Sequence, residues 1–296
     1  MLVLMTIVAL ADFVGAPLVA VDELCDVADV VLVSAPCDDP RSVLVADVDE
    51  TMNLLRSAVA AQPTASAVLV GLLRLTSSLP VPEALVAESL AYSLLLAGRD
   101  FAEWRAAHLR RHSVPEFAPP VRLERHENVL TVALSRPHRH NAFNAEMRDA
   151  LVEALEVARH DPDLRVDLRG DGTSFCSGGD LDEFGTAKDL GQAHLVRLQQ
   201  SVGLRLHVLA ARTTAHLHGA CIGAGIELPA FAGHVVAAPS TRIQLPELMM
   251  GLIPGAGGTV SVTKRVGRWR TAYLALSGVV LDADTAQRWG LVDVLS

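Results

Sequence analysis

The chain has 296 residues, half of them apolar, with 34 acidic and 25 basic side chains and a formal net charge of -9. That length holds one large domain, or one of about 175 residues with a smaller companion. The acidic balance excludes a nucleic-acid surface as the main business, since phosphate binding needs a basic field.

The opening stretch MLVLMTIVALADFVGAPLVAV has no basic leader, and Asp12 and Pro17 interrupt it. It reads as a buried strand rather than a signal or membrane anchor. Cys25, Cys37, Cys176 and Cys221 show no CxxC spacing and read as reduced thiols of a cytoplasmic protein, with no metal site. Short strands are expected at Val27 to Ala35 and Ser42 to Ala46, with a turn at Asp38-Asp39-Pro40. Helical spacing follows over Thr51 to Ala61, Ala65 to Leu75, Glu83 to Ala97 and Phe101 to Leu109. The three prolines of Ser113 to Pro120 mark a boundary.

Asp47-Val48-Asp49-Glu50-Thr51 resembles the nucleophile loop of haloacid-dehalogenase-like phosphatases. That chemistry wants a lysine beside the phosphoryl group, and the chain has none before Lys188. A polar turn capping the following helix is the better reading. Residues 1–120 therefore read as an accessory α/β or mostly helical region without a catalytic cluster of its own.

Strands are expected again at Val121 to Glu124 and Val129 to Leu134. A helix begins near Asn144 and stops at Asp161-Pro162, and Arg165 to Leu168 is the next strand. The paired glycines of Phe175-Cys176-Ser177-Gly178-Gly179-Asp180-Leu181 let the backbone approach a ligand, and a helical segment is expected from about Asp180. Ala193 to Ala210 reads as one long amphipathic helix, with Leu195, Val196, Leu198, Val202, Leu206 and Leu209 inward. Next comes His216-Leu217-His218-Gly219-Ala220-Cys221-Ile222-Gly223-Ala224-Gly225-Ile226-Glu227-Leu228, an apolar strand running through glycines into a segment with one carboxylate. A turn that opens a helix leaves free N–H groups, for which a negative oxygen is the natural guest. A lone acid inside an apolar segment needs a reason of its own.

Further on, His234 to Ala238 is a short strand, and Pro246-Glu247-Leu248 puts another acid at a turn. The loop Gly251 to Thr259 has neither the P-loop ending nor the Rossmann spacing. Helices are expected at Val260 to Val266, Trp269 to Leu276 and Ala283 to Trp289, with a last strand at Leu291 to Leu295. His216 and His218 share a strand face, which is too little for a metal. Cys176 and Cys221 read as buried thiols, not nucleophiles. His138 and His140 fit polar surface and phosphate contact equally well.

The stretches SRPHRHNAFNAEMRDAL, GTSFCSGGDLDEF, HGACIGAGIEL, LPELMMGLIPGAGGT and SGVVLDADTAQRWGLVDVL resemble, in order and spacing, the enoyl-CoA hydratase/isomerase (crotonase) family. The resemblance covers residues 121–296. It implies a crotonase-like spiral of ββα units, with residues 1–120 as an additional α/β region. By residue correspondence it implies an oxyanion hole from the backbone N–H groups of Gly179 and Ala224, the second of which is usually Gly in the family. Glu227 and Glu247 fall on the two hydratase acids. Asp180 and Leu181 fall on the pantetheine path, and Arg136 and His138 on the approach to the CoA nucleotide. Cys176 and Gly178, in the same glycine turn, are counted with these CoA contacts. The activity implied is hydration of a 2-enoyl-CoA to a 3-hydroxyacyl-CoA, with coenzyme A as part of the substrate and no resident cofactor. Double-bond isomerisation, cofactor-independent oxygenation of an arylacetyl-CoA, and a non-catalytic CoA-binding assembly subunit are the alternatives. The family usually continues beyond the GLVDVL match with helices that close the acyl pocket and build a trimer or hexamer. Either the early region or a partner subunit is expected in their place, in a cytoplasmic homo-oligomer with no nucleic-acid or membrane partner.

Overall fold

The computed structural model describes residues 7–108 and 118–296. The expectations for residues 1–6, for Leu109, and for most of the Ser113 to Pro120 boundary lie outside the described residues.

Four short strands open the chain, β1 (Ile7–Ala9), β2 (Leu18–Val21), β3 (Val30–Val33) and β4 (Ser42–Leu44), and pair in that order. β1 is antiparallel to β2, and the others are parallel. β3 is buried at every residue, as an uninterrupted VVLV run requires. Four helices follow: α1 (Val48–Ala61), α2 (Pro63–Thr76), α3 (Val81–Leu96) and α4 (Arg99–Ala107). Asp47 caps α1 by accepting from the Glu50 amide at 2.9 Å, so the Asp-x-Asp-x-Thr motif is a helix start. α1 begins three residues before the expected Thr51, because the cap and not the first apolar residue sets its start.

The rest of the chain begins with an antiparallel hairpin, β5 (Val121–His126) and β6 (Val129–Leu134). Then come α5 (Ala145–His160), capped by Asn144, and β7 (Arg165–Gly170). After them run α6 (Leu190–Gln199), α7 (Val202–Val208), β8 (Thr213–Leu217), β9 (Ala220–Ile222) and the single turn α8 (Ala224–Glu227). β10 (His234–Ala237), β11 (Arg242–Gln244), α9 (Gly258–Ser277), β12 (Leu281–Asp282), α10 (Ala283–Trp289) and β13 (Val294–Leu295) finish the chain.

The strands form two sheets, ordered β13-β10-β8-β7-β6-β5 and β12-β11-β9. β8 and β10 lie in the larger sheet, and their continuations β9 and β11 lie in the smaller one. The segment after β7 repeats the pattern, with Cys176 bridged to Cys221, which itself faces Ile243. Successive turns of the chain thus stack strand on strand in two sheets at once, a spiral of ββα units.

Two expectations give way and a third holds. Ala193 to Ala210 is not one helix: the Ser201 hydroxyl accepts from the Leu204 amide at 3.1 Å and restarts the chain as α7. Leu195 and Val196 consequently stay 45% and 36% exposed, while Val202, Leu206 and Leu209 are buried. No helix starts at Asp180, whose carboxylate ion-pairs with Arg136 and Arg139, and residues 181–185 form turns. The two helices expected at Val260 to Val266 and Trp269 to Leu276 are both present, joined in α9 across a kink at Gly267, whose φ of 79° and ψ of 161° are not helical.

One contiguous core runs from the first helices through the second half of the chain. Arg74 and Arg268 meet on buried Asp29, and Arg270 donates to the Ser42 carbonyl, so α9 is tied to the first sheet. Among the described residues no single helix is long and apolar enough to cross a membrane.

Candidate active site

A cavity of about 290 Å³ opens where the glycine turns of the spiral converge on α3 and α6. Gly179, Asp180, Ala224, Glu227 and Glu247 all line it. Gly178 has φ +97° and Gly223 φ +50°, backbone states that glycine adopts without strain and that turn the next amide out of its sheet. The backbone on either side of Gly179 pairs with Phe143: the Phe143 amide donates to the Gly178 carbonyl, and the Asp180 amide donates to the Phe143 carbonyl. Gly179 and Ala224 themselves donate to no protein acceptor among the described residues, and both face this cavity. A methyl on Gly179 would run into the Phe184 ring, so this site requires glycine for space as well.

The two glutamates meet over Gly223. A Cβ built there would collide with Glu247 Oε1 and lie 3.7 Å from Glu227 Oε1, so both oxygens face one point. Glu227 is buried, and its other oxygen, Oε2, accepts from the Ala256 amide at 2.7 Å and the Gly258 amide at 2.9 Å. Glu247 sits at the start of a 3-10 turn and is also buried, and its Oε2 has no hydrogen-bond partner among the described residues. Burial raises Glu227 to about 7, against the pull of its two amides. Burial, and then the Glu227 charge, hold Glu247 well above the ordinary carboxylate range. One acid near neutrality beside another that keeps its proton is an arrangement suited to general base and general acid work.

A third carboxylate completes the group. Glu88 of α3 is 2% exposed, its Oε1 accepts from the Gly257 amide at 2.8 Å, and its Oε2 accepts from the Thr259 amide at 3.0 Å and hydroxyl at 2.6 Å. Four consecutive amides, 256 to 259, therefore alternate between Glu227 and Glu88. They are the free donors at the N-terminus of α9, satisfied by two acids from opposite sides. Burial, then the Glu227 charge, pushes Glu88 up to about 8. In the sequence Glu88 looks like one polar position on a helix. Its partners lie 169 and 171 residues away, and the only signal for it is an acid within the apolar run of α3. Leu85, Ser89, Tyr92 and Leu96 of α3 also line the cavity, so residues from the first 120 build one of its walls.

The remaining expected site residues divide. Asp180 lines the cavity, but its carboxylate is held by Arg136 at 3.1 Å and Arg139 at 3.0 Å. Arg136 is buried, with its guanidinium on Asp180 and the Ala142 carbonyl, so it braces the loop instead of presenting charge to a nucleotide. Arg139, which sequence reading passed over, is the more accessible cation of this cluster and also pairs with Asp182 at 2.7 Å. His138 and Leu181 are exposed. Cys176 lies under the cavity rather than on it, its amide bonded to the Ala220 carbonyl, and burial pushes its thiol up to about 12. The Gly178 carbonyl is taken by the Phe143 amide, and Gly178 is not among the residues that line the cavity. His216 is 3.4 Å from Asp167 in the sheet, away from the cavity.

The sequence profile of the family described as enoyl-CoA hydratase/isomerase matches residues 124–296. Among curated proteins the chain is similar to 1,2-epoxyphenylacetyl-CoA isomerase of Escherichia coli K12, 36% identical over 172 residues, 56% of this chain and 65% of the relative. It is equally similar to 2,3-dehydroadipyl-CoA hydratase of the same organism, 36% identical over 171 residues, 57% of this chain and 66% of the relative. The chain thus spans just under two thirds of the length of these relatives. Among solved structures, an enoyl-CoA hydratase from Thermoplasma volcanium GSS1 is 33% identical with a TM-score of 0.56, over 60% of this chain and 72% of that one. With the profile covering more than half of its residues and the two-sheet spiral matching that of solved relatives, the chain belongs to the enoyl-CoA hydratase/isomerase family.

Proposed function

We propose that the chain adds water across the 2,3 double bond of an enoyl-CoA thioester to give a 3-hydroxyacyl-CoA. The observation that carries this reading is the pairing of two unused amides, Gly179 and Ala224, with two buried glutamates that face one point beside them. In the reaction the thioester oxygen lies against both amides. Glu227, ionised, orients a water and takes its proton as the water oxygen bonds to C3. The π electrons move onto the thioester oxygen as an enolate, which the amides stabilise by about 3–4 kcal/mol each. Glu247, protonated, delivers a proton to C2 as the enolate collapses. The proton left on Glu227 then returns to Glu247 or to solvent.

Coenzyme A enters with the substrate, and the reading invokes no resident cofactor. Arg139, partly exposed while ion-paired with Asp180 and Asp182, is the cation on that side of the glycine turn that supports nucleotide binding. Homo-oligomerisation, as a trimer or hexamer, is part of the same reading. Exposed Val86, Leu90 and Leu94, spaced four apart on α3, support it as an apolar stripe. Four free thiols fit a cytoplasmic setting.

The test is to follow loss of the conjugated thioester absorbance with a trans-2-enoyl-CoA. Separate incubations with a 3-enoyl-CoA, and with an arylacetyl-CoA in an oxygen electrode, complete it. Water addition supports the proposal. Double-bond migration without hydration, or oxygen uptake, replaces it with isomerase or oxygenase chemistry. CoA binding without any turnover leaves an assembly subunit.

A further inference from the structure

Resting on the enoyl-thioester reading, we infer that Arg197 and Tyr92 select acyl groups whose far end carries a hydrogen-bond-accepting oxygen, a terminal carboxylate above all.

Arg197 of α6 is a half-buried cation on the cavity wall. Its Nε donates to Ser89 Oγ at 2.9 Å, and its Nη2 donates to the Ser89 carbonyl at 3.3 Å and to Ser93 Oγ. These partners are all neutral. Among the described residues no carboxylate lies within ion-pair distance of it, and its Nη1 has no acceptor. Burial lowers its pKa, with Tyr92 and Glu88 only partly offsetting that. A guanidinium taken out of water without a counter-charge is costly, and an arriving anion relieves the cost.

Tyr92 supplies a second donor. Its ring lies under the guanidinium, 5.2 Å from centroid to the guanidinium carbon, and its hydroxyl bonds to no other described residue. The same ring packs on Gly255, where an added methyl would collide with it. The next residue, Ala256, is the one whose amide holds Glu227. Arg197 therefore stands one aromatic ring away from the proton-moving groups. Asp180, held by Arg136 and Arg139 where the CoA portion is expected, lines the same cavity, while Arg197 is held by Ser89 and Ser93. Leu85, Leu96 and Leu198 line the same cavity and suit an aliphatic stretch ahead of the polar end.

The acids facing this position are Glu88 of α3, Glu227 of α8 and Glu247 of the 3-10 turn. Burial, and then the Glu227 charge, pushes Glu88 up to about 8, which weakens its opposition to an incoming carboxylate, and Arg197 has to outweigh the charge of ionised Glu227.

The experiment uses the full chain and three trans-2-enoyl-CoA esters of equal length, ended by carboxylate, hydroxyl or methyl. The carboxylate-ended ester is expected to exceed the methyl-ended one in kcat/KM by at least about 10-fold, the scale of one charged hydrogen bond, chiefly through KM. R197M is expected to bring that ratio to about one, and R197K to fall between. Equal or better use of the methyl-ended ester by the wild-type chain, or a ratio that R197M leaves unchanged, overturns the inference. If no enoyl thioester is turned over, the hydratase reading fails separately. Calorimetric titration with a saturated ω-carboxyacyl-CoA, an alkyl acyl-CoA and free CoA then tests the inference alone. Tighter binding of the carboxylate, lost in R197M, supports it. Equal affinities for the two esters, or an Arg197 dependence shared by free CoA, overturn it.

Discussion

Glu227 has one oxygen committed to the Ala256 and Gly258 amides and the other turned toward Glu247 and the cavity. That division fixes which lone pair is free to take a proton, and it predicts a pH profile. Activity should rise as Glu227 ionises near pH 7 and fall again at higher pH as Glu247 gives up its proton. Glu227→Gln should lower kcat by about 10²–10⁴-fold with little change in KM, and should remove the acid limb of the profile. A pH–rate series on both proteins checks this, and an acid limb that survives in the variant assigns the base elsewhere. Glu227 stands out in the sequence as an acid inside an apolar, glycine-flanked segment, whereas Glu247, an acid at a turn beside Pro246, is picked out by the family resemblance. Glu88 could not be read in advance, since its role comes from a loop far along the chain. Arg136 came from the family correspondence, which carries over a position and not its burial, and only the buried Asp180 reveals that its charge is spent on structure.

The N-terminus of α9 is the element on which the three acids converge. Amides 256 to 259 have no acceptors within their own helix, and Glu88 and Glu227 satisfy them alternately. Glu88→Ala leaves two buried amides and the Thr259 hydroxyl without partners, at about 1–3 kcal/mol for each unsatisfied group. It should therefore destabilise the chain by about 3 kcal/mol or more, whereas Glu88→Gln, which keeps one of the two acceptor oxygens, should cost less, about 1–3 kcal/mol. Urea unfolding of the two variants at pH 6 measures the difference. Equal losses would mean that the clamp contributes little. Elements with strong caps and apolar stripes, such as α1 and α5, were legible in advance. The break between α6 and α7 was not. The apolar period continues through Ser201, whose hydroxyl caps a new helix that carries Val202 and Leu206 into the core.

At the scale of the whole molecule, the site works against the stability of the fold above acid pH. Glu227 and Glu88 have folded pKa values of about 7 and about 8, and Glu247 is also raised, while in the unfolded chain all three ionise near the ordinary carboxylate value. Between those limits the folded state binds more protons, so unfolding becomes easier as pH rises. The stabilisation is fully present below the unfolded value and is lost as pH climbs through 7 and 8, on the order of 3 kcal/mol for Glu227 alone. Surface carboxylates with lowered values act in the other direction. Asp39, held down to about 2 by Arg41, and Asp171 and Glu156, lowered by Arg122 and Arg159, stabilise the fold at higher pH and lose that effect as pH falls through their folded values. The net charge of -9 adds self-repulsion on the alkaline side. Thermal stability should therefore peak near pH 5, well below the pH of best activity, and decline steadily to pH 8. Glu88→Gln should flatten that decline, because one of the groups that must ionise in a buried setting is gone. Melting temperatures of both proteins from pH 4 to 9 decide it. Parallel curves would mean that Glu88 is not part of the titrating group, whereas converging ones would show the site's acids restraining the stability of the whole fold.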